Sequence, residues 1–309
     1  MFINNYKKIY KPSILLIIFI LLVSGAYKDT VQYLVGSWLT NLYSHGLLLF
    51  LVCCYLFYVK WSACRENLVF MGSPIGIALL SIVSLIWLAA NLTFVRYVEL
   101  VSLPLILAAL LVSLLGWRQS KGLLFPVLLL LLAGPLLGVL VPVLQNITAN
   151  LTGLLLEITG ITSLVDGVLI LVPAGTFEVD TSCSGLNVLT VGLILSLVYS
   201  YINQYSTRES LLISLLGILV SIMSNVVRVF IIVVVGNNTQ MQHPLVEDHM
   251  FLGWVVFTLL FGIFLFLVHR LWPPRVRVEE AFAPPNNNES RDSLFVIDID
   301  LGLDSGSQS

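Results

Sequence analysis

The chain has 309 residues, 58% of them hydrophobic and 10% charged, with a formal net charge of −2. A soluble domain carries about 25% charged residues, so this composition excludes an ordinary water-soluble fold and points to the lipid bilayer. The slight negative charge argues against nucleic-acid binding. The four cysteines, Cys53, Cys54, Cys64 and Cys183, match neither a disulfide framework nor a zinc pattern, and the sequence implies no metal and no cofactor.

A spanning helix needs about 20 mostly apolar residues. Eight stretches qualify: roughly 12–27, 46–61, 74–92, 97–117, 123–143, 183–202, 210–236 and 250–272. The first lacks a small-residue cleavage site and more spans follow it, so it reads as a membrane helix rather than a signal peptide. With the N-terminus inside, 12 of the 15 Lys and Arg fall in inner segments. Only Lys28 and Arg96 fall outside, and Arg228 lies within a span. This positive-inside bias sets an even number of crossings with both ends in the cytoplasm.

The first outer loop contains WLTNLYSHG, residues 38–46. Its Trp, Tyr and His fit an interfacial anchor, and a contribution of His45 to an active-site rim is the alternative. The segment from Leu144 to Ser182 has no Lys or Arg. Ile147, Leu151, Leu154, Leu155 and Ile158 recur at helical spacing, which predicts a short amphipathic helix on the outer interface or against the bundle. VLILV and TFEV then flank Pro173-Ala174-Gly175, a β-hairpin pattern that leads the chain to Cys183. The expected fold is therefore an all-α polytopic membrane protein, with this helix and hairpin before Cys183. Residues 1–272 form the membrane domain, and 273–309, with seven acidic residues and three arginines, read as a disordered cytoplasmic tail.

Three side chains of the last three spans share one end of the bundle. Cys183 opens the sixth span, Arg228 lies eight residues before Gly236 in the seventh, and His249 opens the eighth. An arginine within a span costs about 2.5–3.5 kcal/mol and marks a functional site by default. Asn225, three residues earlier, shares its helix face and is placed to orient the guanidinium. The alternative is a structural arginine that snorkels outward or pairs with Glu247 or Asp248. Asp180, Thr181 and Ser182 suit a helix N-cap, which puts Cys183 in a first turn where unsatisfied N–H groups acidify a thiol. Ser184 and Gly185 allow a substrate backbone to approach closely. Gly253 is one turn from His249 on the same face. His243 competes with His249 but precedes Pro244, and His269 sits at the opposite end. A Cys, an Arg and a His together suggest thiol-based acyl transfer: Cys183 attacks a peptide carbonyl, and Arg228 steadies the oxyanion while His249 moves protons, or the two exchange or share these roles.

These motifs resemble the exosortase/archaeosortase family. The resemblance rests on CSGLN at 183–187, N-x-x-R from Asn225 to Arg228 and H-x-x-x-G-W from His249 to Trp254, with support from PVLQNITANLTGLLLEITGI, EVDTSCSG and YSHG at 43–46. Histidine in third place is similar to the exosortase branch. The resemblance implies a membrane cysteine transpeptidase of the bacterial inner membrane. Its partners would be exported proteins ending in a short motif such as Pro-Glu-Pro, a transmembrane helix and a basic end, with an acceptor in the envelope. Two other readings are a membrane protease that hydrolyses without transfer and a transporter that binds an anion at Arg228.

Overall fold

The computed structural model describes residues 21, 23, 25–39, 43–64, 68, 72–244 and 250–273. The described helices are α1 (Lys28–Ser37), α2 (His45–Cys64), α3 (Pro74–Leu92), α4 (Arg96–Leu129), α5 (Val141–Ile158), α6 (Leu186–Ile202), α7 (Thr207–Asn238) and α8 (Met250–Leu271). Three strands, β1 (Leu164–Asp166), β2 (Leu169–Val172) and β3 (Gly175–Glu178), lie between α5 and α6. Seven helical stretches among the described residues are long and apolar enough to cross a membrane. Most of the first predicted span, 12–27, and nearly all of the tail lie outside the described residues.

Local chemistry sets the helix starts. Ser73 precedes α3 and accepts from the Gly76 N–H at 3.3 Å, with Pro74 at the first helical position. Ser206 and Glu209 form a reciprocal capping box that opens α7.

The fourth and fifth predicted spans form one helical stretch broken at Gly116, whose φ of 76° and ψ of 163° suit glycine alone. The break reverses the chain. Ser120 Oγ donates to Leu111 O at 3.0 Å, whereas residues nine apart in a straight helix lie about 13.5 Å apart. Tyr97 Oη likewise donates to Leu136 O at 2.6 Å, closing the hairpin far from its turn. The two arms pack through Ala108, Leu111 and Leu115 against Leu123 and Val127, with Trp61 of α2. Helix α3 lies on α4 at very short range, since a Cβ on Gly76 would sit 2.3 Å from Ser113 N.

After Leu129 the chain continues as two 3-10 turns, Leu130–Ala133 and Pro135–Leu140, before α5. The predicted amphipathic helix is thus longer, and it packs against the bundle. Its N-terminal Leu144 clusters with Leu186 and Leu189 of α6, and Leu156 clusters with Val233 of α7. The face it buries is only partly the apolar one. Leu144, Thr148, Ala149, Thr152, Gly153 and Leu156 are buried, while Leu154 and Ile158 are exposed. The apolar stripe lies at the edge of the packed face, with Ile147, Leu151 and Leu155 half-buried and Leu154 and Ile158 turned outward, because lipid solvates leucine as well as a protein core does. Small residues take the interior, where they admit close packing and hydrogen bonds.

The predicted hairpin is present as β2 and β3, paired antiparallel with Ile170 opposite Phe177. A third strand, β1, pairs antiparallel with β2. Ile170 is fully buried and packs with Ala149, Leu156, Val229 and Val233 beneath the sheet. Val165 fills the space left by Gly153, and Phe177 that left by Gly236. The sheet is therefore bolted to α5 and to the end of α7.

The opposite end of the bundle carries a basic and aromatic belt. Lys60 sits 5.5 Å over the ring of Tyr201, which stacks on Phe125, and Lys121 lies 5.9 Å from the Trp117 ring. Tyr199 Oη is 3.2 Å from His269 Nδ1, and Tyr205 Oη donates to Trp272 O. Such residues collect where a bundle meets an interface.

Candidate functional site

Helices α6, α7 and α8 meet below the sheet. α6 and α8 both pack on α7, and the α6–α7 seam is built from glycines facing serines. A Cβ on Gly192 would come within 2.0 Å of Ser221 Oγ, and one on Gly217 within 2.1 Å of Ser196 Oγ. This close approach brings Arg228 Nη2 to 3.8 Å from Cys183 Sγ, across 45 residues of sequence. Both residues are buried, at 5% and 9% exposure. Cys183 also belongs to the apolar cluster under the sheet, so the strands help to seat the sulfur.

Cys183 does not occupy the first turn of α6, as the N-cap reading expected. It ends a 3-10 turn, Thr181–Cys183, and α6 begins three residues later at Leu186. Asp180 caps that turn. Its carboxylate accepts from the Ser182 hydroxyl at 3.1 Å and the Thr181 hydroxyl at 3.2 Å. Hydrogen bonds from the Thr181 backbone and the Ser182 side chain hold the Asp180 carboxyl below the usual carboxylate range.

Asn225 has a different task from the one expected. Its Nδ2 donates to the Cys183 carbonyl at 2.9 Å and to Thr148 Oγ1 at 3.1 Å. Thr148 Oγ1 in turn donates to the Ser184 carbonyl at 3.5 Å. Asn225 and Thr148 thus clamp the backbone that carries the thiol. Thr148 is 77 residues from Asn225 in sequence, and only the packed face of α5 brings it there. Gly185, at φ 85°, makes room for this clamp, since a Cβ there would lie 2.7 Å from Asn225 Cγ. Ser184 is also structural: it is 2% exposed, donates to Thr181 O and accepts from Leu186 N. Of the pair expected to admit a substrate backbone, Ser184 is buried and Gly185 lines the cleft described next.

A small cleft of about 30 Å³ opens beside the pair, lined by Ser182, Gly185, Asn187, Val188, Arg228, Gly253 and Trp254. Gly253 lets α8 close on the arginine: a Cβ there would sit 2.9 Å from Arg228 Cδ. His249 lies outside the described residues, as do Glu247 and Asp248; its turn-mate Gly253 is the described contact from that motif. His243 lies beyond the end of α7, and His269 is at the far end of the bundle with Tyr199. Asn187, which sequence reasoning quoted within CSGLN without a role, lines the cleft. His45 reaches it, with Nδ1 3.1 Å from Asn187 Oδ1. Among the described residues no group of His, Cys, Asp and Glu could hold a metal ion.

A family model for transmembrane exosortases matches residues 38–266. No curated protein and no solved structure matches the chain. The matched region runs from the start of the WLTNLYSHG segment to the last turns of α8, and so contains the whole cleft. By this match, the chain belongs to the transmembrane exosortase family.

Proposed function

We propose that the chain is a membrane-embedded cysteine transpeptidase that processes exported proteins at a C-terminal sorting signal. The observation that carries this reading is the 3.8 Å approach of the Arg228 guanidinium to the Cys183 sulfur beside a small cleft that Arg228 lines. His249 takes the thiol proton as the sulfur attacks. The thiolate adds to a peptide carbonyl, and Arg228 offers N–H donors to the oxyanion that develops. Such donors gain strength where water is excluded. Collapse of the adduct breaks the C–N bond, leaves a thioester on Cys183 and releases the amine, which takes a proton from His249. An acceptor nucleophile, deprotonated by His249, then attacks the thioester, and the departing sulfur takes that proton back from His249 as the free thiol.

The substrate would present its signal next to its own membrane helix, with a basic end in the cytoplasm and the cleft on the outer side of a bacterial inner membrane. In this reading residues 1–272 carry catalysis and 273–309 do not.

The test is processing of a co-expressed substrate that ends in motif, apolar helix and basic cluster. Cys183→Ala is expected to abolish processing, whereas Cys64→Ala retains it. Equal processing by the Cys183 variant would refute the reading. The mass of the new C-terminus separates transfer from hydrolysis: an attached group marks transfer, a free carboxylate marks hydrolysis.

A further inference from the structure

The proposed reaction leaves a half-buried histidine without a task. His45 begins α2, and its ring joins two parts of the chain. Nε2 lies 3.1 Å from Leu132 O, and Nδ1 lies 3.1 Å from the side-chain amide of Asn187. Leu132 stands in the 3-10 turn where the helical run from α4 breaks. The break at Gly134, with φ −123° and ψ −163°, takes the following N–H groups away from the carbonyls of this turn. Two of those carbonyls receive side-chain partners from the WLTNLYSHG segment. His45 serves Leu132 O, and Trp38 Nε1 donates to Ala133 O at 2.8 Å. Gly46 makes the pairing fit, since a Cβ there would lie 2.2 Å from the Trp38 indole.

The consequence is directional. A carbonyl can only accept, so Nε2 carries a proton. Nδ1 is then left for Asn187. An amide can answer Nδ1 in either state of the ring: it offers oxygen to the imidazolium or, turned over, its NH₂ to the neutral imidazole. Either way the amide plane is held, and Asn187 lines the cleft with Arg228 and Gly253.

We infer that His45 is a positioning residue for the proposed reaction: it holds the Asn187 amide in the cleft, where that amide hydrogen-bonds the main chain of the substrate beside the scissile carbonyl. An extended peptide there has its own amide donors and acceptors to satisfy, and Asn187 supplies both kinds. This inference rests on the transpeptidase reading and adds a substrate-binding residue and its support.

The test uses the full chain in membranes and the same tailed substrate. His45→Ala and Asn187→Ala are each expected to lower kcat/KM by about 10- to 100-fold, the range typical of removing a group that orients a reacting site. The double variant should be no worse than the weaker single variant, because both act on one contact. His45→Gln, whose amide can bridge the same two partners, should recover part of the loss. Trp38→Phe removes the neighbouring carbonyl contact and leaves the Asn187 link, so it should lower the melting temperature more than it lowers kcat/KM. Additive losses in the double variant, activity of His45→Ala within twofold of the parent, or a Trp38→Phe loss equal to that of His45→Ala would each overturn the inference. If His45→Ala does not accumulate in membranes, the His45→Gln and Asn187→Ala pair carries the same test: full activity in Asn187→Ala sinks the idea. Processing that survives Cys183→Ala sinks the parent reading and this one with it. Loss in Cys183→Ala with full activity in Asn187→Ala sinks this one alone.

Discussion

Placing Arg228 within a span costs about 2.5–3.5 kcal/mol on insertion scales, and the guanidinium lies against the sulfur of Cys183. A lysine at 228 would keep the charge but lose the planar fork. Arg228→Lys is therefore expected to reduce processing by about 10²- to 10³-fold, the usual loss for an oxyanion donor, with little change in melting temperature. Equal turnover by the two proteins would remove Arg228 from the reaction. Asn225→Ala strips buried partners from the Cys183 carbonyl and Thr148. Leaving such groups unsatisfied costs about 1–3 kcal/mol, so this variant should lower both stability and rate, and detergent melting curves beside processing assays measure the two losses. Asp180 sets a pH dependence. Its carboxyl lies below its ordinary range, so the cap on the Thr181–Cys183 turn is fully present above the unfolded pKa and is lost as pH falls through the folded one. Asp180→Asn keeps a capping side chain and should flatten the acid limb of the stability profile. At this scale the sequence disclosed the Cys183–Arg228 pair through the oddity of an arginine in a span. It did not disclose Thr148 or the true partner of Asn225, because a threonine amid apolar residues carries no signal until the helix packing is known.

Glycines fix how near the helices come. Gly76 and Gly253 make a matched pair of probes. A Cβ on Gly76 would meet the backbone of α4 at 2.3–2.5 Å, which cannot move, whereas one on Gly253 would meet the Arg228 side chain at 2.9–3.3 Å, which can. Gly76→Ala should therefore lower the melting temperature or the yield of folded protein, while Gly253→Ala should spare stability and lower processing by displacing the guanidinium. The reverse pattern would contradict the packing described here. Span positions were legible in the hydropathy: the stretch expected at 74–92 coincides with α3, and those expected at 46–61 and 210–236 lie inside α2 and α7. The hairpin at Pro173–Gly175 was also legible from its turn residues. Strand β1 was missed because a three-residue strand, Leu164–Asp166, shows no alternation of its own. The lining face of α5 was missed because an apolar stripe signals the core only when the other solvent is water.

The bundle segregates its polar features by end. Cys183, Arg228 and the sheet lie toward one end, and Lys60, Lys121, Trp117, Tyr201 and His269 toward the other. The charge count along the chain anticipated this separation without any geometry. If the cleft end is extracytoplasmic, an impermeant maleimide added to intact cells should label Asp166→Cys and leave Lys121→Cys unlabelled, in a background whose own cysteines are replaced. The opposite pattern would invert the proposed orientation. The helix count was less legible, because the break at Gly116 and the 3-10 turns at 130–140 give one hydropathic profile to a crossing, a bend and a buried prop. The outward-facing Val143, Leu154 and Ile158 of α5 have a practical corollary. Anyone recasting this protein for use without detergent could repaint that greasy exterior with charge and leave the cleft untouched. Trimming the hydroxyls from its inner side, the change a water-trained eye would make first, would loosen the seat of Cys183 instead.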